Sequence, residues 1–278
     1  VEDEDDILRD SIRAIKAFHE PQRYGMCRLA IAPCAPFNVS EDLMRESARL
    51  ARQYGVRMHT HVAETRDEQA YTLRRVGRRP IAYMQDLGWV GPDVWWAHVV
   101  WSNQQEIALL AETGTGVAHC PGSNMRLGSG IAPIREYLDA GVKVGLAVDG
   151  SASNDSGHMF AEARLALLLQ RVTKGPDALT AREVLEIATL GGAAVLGRDD
   201  IGALAPGMAA DLIAIDLNQA GFAGAQADPL AATLFCAPPS VDLSIINGQI
   251  VIEDGHLLTA DLAPLVEKHN KLSGELFS

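Results

Sequence analysis

Along most of the chain a short run of apolar residues gives way to a polar turn holding Gly, Pro or Asn, then to a segment whose apolar positions recur three and four apart. That rhythm is the signature of successive βα units. RLAIAP (Arg28 to Pro33) predicts a strand, and SEDLMRESARLARQYG predicts the helix after it, with Ser40 as N-cap and Gly55 as the stop. VRMHTHVAE predicts the next strand. A helical stretch ending near Leu87 leads to VWWAHVVW, then SNQQEIALLAETG, GVAHCPGSN, a helix around Ile134 to Ala140, and VKVGLAVDGS. Ahead of the first unit, VEDEDDILRDSIRAIKAFHE predicts an acidic helix carrying Ile7, Leu8, Ile12 and Ile15. No strand and no initiator Met precede it, so the chain reads as one entered in mid-fold.

The rhythm changes after about residue 200. IGALAPGMAADLIAIDL and LSIINGQIVIEDGHLL are short β runs, and Asn247-Gly248 is a strong hairpin signal. Two parts are therefore expected: residues 1–200 as an α/β unit, and residues 201–278 as part of a small β-sandwich with a terminal helix. Within the first part almost every strand closes on polar residues: Cys34, His61 with Glu64, His98, His119 and Asp149. In a (β/α)8 TIM-type barrel the strand C-termini share one mouth, whereas an open sheet concentrates its ligand at one switch point. The barrel is the expected fold class.

Composition narrows the partners. A formal charge of -12 argues against a nucleic-acid or anionic-membrane surface, because either needs a basic patch. A small-molecule partner fits better. Cys27, Cys34, Cys120 and Cys236 form no CxxC pair, which points to free thiols in a reducing cytoplasm and leaves the sequons at Asn38 and Asn154 without meaning. No stretch of roughly 18 apolar residues is present, so no membrane span is expected. A homo-oligomer, dimer or larger, is the expected assembly.

Strand periodicity sharpens the chemistry of RMHTHVAE. Side chains at i and i+2 share a face, so His59 and His61 both point to one side, with His61 nearer the mouth and better placed as a metal ligand. Glu64, just past the strand end, can reach water at such an ion without binding the ion itself. Asp149 supplies a hard oxygen to complete a site of imidazoles. A lone strand-end histidine such as His98 is more often structural, and Asp-Gly is usually a turn. The joint occurrence of HxxE, a strand-end His and a strand-end Asp in successive units is harder to dismiss.

HTHVAET, WAHVVW, AHCPGSNMRLGSG and GLAVDGSASND, in this order, resemble the amidohydrolase superfamily, in particular its cytosine/guanine deaminase and triazine hydrolase branch. The resemblance runs over almost the whole chain, and it implies a metal-dependent aminohydrolase. It also implies roles: His61 as the fifth-strand metal ligand, Glu64 as the proton-shuttling acid, His98 as the group orienting water or polarising substrate, and Asp149 as the residue touching metal and water. One divalent ion is implied, zinc ahead of iron. The family takes two further ligands from an HxH closing its first strand, and His59-Thr60-His61 has that spelling in a fifth-strand context. The resemblance thus places the chain's start after the third strand, with the HxH, the first strands and one leaf of the sandwich outside it.

The loop APCAPFNVS carries Cys34 where the branch commonly has a histidine. With the HCPGSN loop, it looks most like the enzymes that deaminate 8-oxoguanine and related oxidised purines, and next like hydroxytriazine aminohydrolases or chlorohydrolases. Guanine or cytosine deamination is a further alternative, and a metal-free, inactive barrel is the non-enzymatic one. Cys34, His119 and Asn124 are the expected substrate contacts. Cys34 reads equally well as a small buried apolar residue.

Overall fold

The computed structural model describes residues 3–236 and 240–276; the first two positions of the expected N-terminal helix, Val1 and Glu2, lie outside the described residues. The chain divides into two compact units, Val1–Gly202 and Ala203–Ser278.

In the first unit, helix α1 (Glu4–Phe18) opens on an Asp3 cap and buries only Ile15. Strand β1 is just Ala30–Ile31, shorter than the predicted RLAIAP. The Leu29 N–H is taken by His19 Nδ1 at 3.0 Å, and Pro33 has no N–H to offer, so the ladder has little backbone left at either side. Helix α2 (Glu41–Tyr54) has the expected ends: Ser40 accepts from Leu43 N, and Gly55 stops it at φ 66°. Strand β2 (Arg57–Val62) follows, then α3 (Arg66–Val76) and α4 (Pro80–Asp86), split where Gly77 turns left-handed and Pro80 starts a new first turn.

Strand β3 (Val94–His98) ends earlier than VWWAHVVW suggests, because His98 and Val99 adopt positive φ, 70° and 42°. Helix α5 (Gln104–Thr113) opens on an Asn103–Glu106 capping box, and β4 (Gly116–His119) runs into an unexpected short helix, α6 (Pro121–Leu127). Then come α7 (Ile134–Asp139), β5 (Val144–Leu146) and α8 (Met159–Lys174). Helices α9 (Ala181–Glu186) and α10 (Gly192–Val195) are joined by a π-helical turn, Ile187–Gly191.

Strands β1 to β5 form one parallel sheet in sequential order, as the barrel reading requires of strands four to eight. Met58, Thr60, Val62, Val94 and Trp96 alternate onto a buried face, continuous with Met44, Ile81, Leu110 and Leu167 from the helices. His59, His61 and Trp95 occupy the opposite, partly open face.

The second unit holds β6 (Leu212–Ala214), a 3-10 turn (Ala220–Phe222), α11 (Pro229–Phe235), β7 (Leu243–Ile246), β8 (Gln249–Glu253), β9 (His256–Leu257) and α12 (Leu262–Leu276). Its strands form an antiparallel sheet in the order β6-β7-β8-β9. The predicted hairpin turns at Asn247 and Gly248, with φ 49° and 77°. No helix among the described residues is long and apolar enough to cross a membrane.

Candidate metal centre

His61 projects from β2 beside the chain segment that follows β1. The Cys34 carbonyl accepts from the His61 backbone N–H at 3.1 Å and lies 2.6 Å from His61 Nδ1. A carbonyl only accepts, so Nδ1 carries the proton and the Nε2 lone pair is free to bind an ion.

His98 reaches the same place by a less direct route. Its register partner is Val62, on the buried face, so simple alternation would aim it away from His61. The left-handed φ of 70° instead leaves its ring stacked on His61, with centroids 5.4 Å apart. His98 Nδ1 lies 2.8 Å from Asn124 Oδ1, which again leaves Nε2 as the free nitrogen.

Asp149 lies three residues past β5, also left-handed at φ 66°. Its Oδ2 accepts from the Ser123 and Ser153 hydroxyls at 2.6 and 2.8 Å. Burial pushes this carboxyl up, but Ser123, Ser153 and the Gly150 N–H outweigh it and hold the group below the usual carboxylate range. It is an anion ready to meet a cation.

Single ligand atoms of His61, His98 and Asp149 all lie within 4.8 Å of one another. His61 Nε2 is 3.9 Å from Asp149 Oδ1, and His98 Nε2 is 3.9 Å from Asp149 Oδ2. Ligands about 2.1 Å from a tetrahedral zinc are spaced roughly 3.4 Å apart, so small adjustments would close these three on one ion. Both imidazoles are already in the tautomer that binds metal, and the donor set of two nitrogens and one carboxylate suits zinc or iron. The residues present fit a divalent ion.

Glu64 stands beside this cluster: its Oε2 is 3.7 Å from His98 Nε2, and its Oε1 accepts from the Ser129 hydroxyl at 2.8 Å. The turn carrying it is clamped by Glu68, whose two oxygens accept the Ala63 and Glu64 backbone N–H groups at 2.9 and 2.8 Å. Ala63 is left-handed at φ 54°, a conformation costly for a residue with a side chain, and the paired bonds help hold it there. Burial pushes the Glu68 carboxyl up to about 7 against those two bonds, with the neighbouring Glu64 adding to the rise.

His59 stays out of the cluster. It stacks on Trp95 with centroids 4.9 Å apart, its Nδ1 is 3.4 Å from the Trp95 carbonyl, and burial holds its ring down to about 4. His59-Thr60-His61 is therefore not a chelating pair. Cys34 has an exposed thiol, and its carbonyl rather than its sulfur serves His61. His119 and Asn124, expected at the substrate, are 0% and 1% exposed. Asn124 faces His98, and both His119 ring nitrogens lack a hydrogen-bond partner among the described residues. Sequence reading missed Glu68, Ser123, Ser129 and Ser153. The T-x-x-E spacing of Thr65 and Glu68 was the one available signal, since it spells a capping box.

The model of the amidohydrolase family matches residues 2–251. An 8-oxoguanine deaminase of Pseudomonas aeruginosa is 45% identical over 278 residues, covering 100% of this chain and 62% of that protein. A hydroxydechloroatrazine ethylaminohydrolase of Pseudomonas sp. (strain ADP) is 42% identical over 259 residues, covering 91% of this chain and 53% of its own length. The crystal structure of atrazine chlorohydrolase TrzN from Arthrobacter aurescens TC1 complexed with zinc aligns with a TM-score of 0.93 at 36% identity, over 98% of this chain and 60% of that one. The chain thus spans less than two thirds of the length of these relatives.

Proposed function

This chain belongs to the amidohydrolase family, and on that premise we propose that it serves in a zinc-dependent aminohydrolase that removes the amino group of an oxidised purine such as 8-oxoguanine. The observation that carries the reading is the convergence of His61 on β2, His98 at the end of β3 and Asp149 just past β5, with Glu64 at their edge. A cluster of free imidazole nitrogens and an ionised carboxylate beside an independent acid is what hydrolytic deamination needs.

His61 Nε2 and Asp149 would hold the ion, and His98 Nε2 faces the same point. Zinc bound there supplies a Lewis acid that brings the pKa of water from 15.7 towards about 7. Glu64 takes one proton of the attacking water on Oε2 and passes it to the ring nitrogen beside the amino-bearing carbon; it then takes the second, from the added hydroxyl, and passes that to the departing amine. The balance is one water consumed and one ammonia released per C–N bond broken, with C=O in place of C–NH2. His98, already oriented by Asn124, positions the water against the ring carbon. Cys34, exposed on the loop after β1, lines the substrate side together with its neighbours. Asn124 acts through His98.

Triazine hydrolysis uses the same residues on a different leaving group, and the relatives acting on hydroxydechloroatrazine and atrazine keep it as the second reading. The match to the 8-oxoguanine deaminase, which runs over all of this chain, supports the purine as the first reading. A cytoplasmic, homo-oligomeric protein completes the proposal, supported by the free thiols of Cys27, Cys34 and Cys120 and the exposed Leu262, Leu265, Val266 and Leu272 of α12. The deciding measurement is ammonia release by the zinc-loaded full-length protein with 8-oxoguanine, guanine, isoguanine, cytosine and hydroxytriazines. The highest kcat/KM is expected with 8-oxoguanine; a best substrate among the triazines would move the assignment, and no turnover of any would end it.

A further inference from the structure

We infer that Ser129 is the positioning residue of Glu64, fixing which carboxylate oxygen the glutamate turns to the candidate centre; this rests on the acid–base role proposed for Glu64. The Ser129 hydroxyl donates to Glu64 Oε1 at 2.8 Å, which leaves Oε2 as the oxygen that faces His98 Nε2 at 3.7 Å. Ser129 is 4% exposed, so water does not compete freely for its hydroxyl. Glu64 has three side-chain torsions and would otherwise distribute its carboxylate over several rotamers.

The serine is itself held from three sides. Its backbone N–H donates to the Asn124 carbonyl at 2.9 Å, and its carbonyl accepts from the Trp101 indole N–H at 2.8 Å. Next to it, Gly130 has φ +127° and no space for a side chain: a Cβ there would fall 2.9 Å from Val100 Cγ1 and 3.0 Å from Trp101 Cζ2. The same two residues tie down the glutamate, because the Val100 and Trp101 backbone N–H groups both donate to the Ala63 carbonyl at 3.0 Å. Hydroxyl and carboxylate are thus anchored to one short segment, and their contact is preorganised rather than incidental.

The test uses the zinc-loaded full-length protein with 8-oxoguanine as the probe. Ser129→Ala is expected to lower kcat about tenfold to a hundredfold, the usual effect of one hydrogen bond to a charged group, while KM and zinc content stay within about threefold. Ser129→Thr, which keeps the hydroxyl, is expected to recover most of the rate. In a Glu64→Gln background the Ser129→Ala change is expected to cost nothing further, because the group it serves is gone. An unchanged kcat in Ser129→Ala, or a full additional loss in the Glu64→Gln background, overturns the inference. Normal turnover by Glu64→Gln alone instead overturns the acid–base role. A crystal structure of Ser129→Ala then decides the contact by itself: a Glu64 carboxylate displaced from His98 supports the positioning, and one left in place refutes it.

Discussion

Gly122→Ala should be among the most damaging small substitutions in the molecule, although it adds one methyl group. A Cβ at Gly122 would sit 2.3 Å from Glu162 Oε1 and 3.0 Å from its Cδ and Oε2, far inside contact distance. Glu162 is 2% exposed and cannot step aside into water. Its carboxylate accepts from Gly122 N at 2.9 Å and from Asn154 Nδ2 at 2.8 Å, so it straps the first turn of α6 to the loop after β5. Those two segments carry Ser123 and Ser153, the donors that hold Asp149. Displacing the carboxylate loses two charge-assisted hydrogen bonds, each typically about 1.5–3 kcal/mol, and strands a buried anion; an overall cost of about 3–5 kcal/mol follows. For a chain of this size that lowers Tm by roughly 6–20 °C. Zinc retention should fall with it, because Asp149 loses its supports. Thermal unfolding and metal content of the purified protein measure both effects. Gly274→Ala, in α12 with nothing within 4 Å of the added carbon, is the control and should be neutral or slightly stabilising. A Gly122→Ala protein within about 1 kcal/mol of wild type, with zinc retained, would refute the reasoning.

Other outcomes follow from the same geometry. Glu64→Gln should keep zinc yet lose at least about a hundredfold in kcat, measured by ammonia release; near-normal turnover removes the glutamate from the chemistry. Asp149→Asn should lose activity and bound zinc together, and full metal occupancy in that variant would contradict its place as a ligand. Cys34→Ala should leave zinc binding unchanged, because His61 is served by the Cys34 carbonyl. It should shift relative kcat/KM among oxopurines several fold, and a uniform loss across them would indicate packing instead. Burial, with a smaller contribution from His98, holds His119 down from 6.5 to about 3. Its contribution to stability is complete above pH 6.5 and is lost as pH falls through that window, at up to about 1.4 kcal/mol per pH unit. Urea unfolding across the window should show a shallower acid limb in His119→Asn, and an identical slope would show that His119 is not the titrating group.

Much of this was legible without coordinates, for a physical reason: the features concerned depend on near neighbours in sequence. Ser40 and Gly55 end α2 because a side-chain oxygen and a missing Cβ act within one turn of helix. The hairpin at Asn247-Gly248 and the placing of His61, His98 and Asp149 at strand ends follow from equally local rules. The tertiary structure decided what depends on pairs distant in sequence. By register His98 should have faced the helices with Val62, and only a left-handed turn, sustained by the packing around it, brings its ring onto His61. Asn124 sits on α6, a helix no periodicity announced, and it became the partner of that histidine rather than an open pocket wall. Glu68, which no sequence pattern tied to the site, clamps the turn that carries Glu64. Sequence determined which chemical groups arrive at the mouth, since strand period and capping are local; which atom of each group points inward was settled only when separate strands and loops closed around one another.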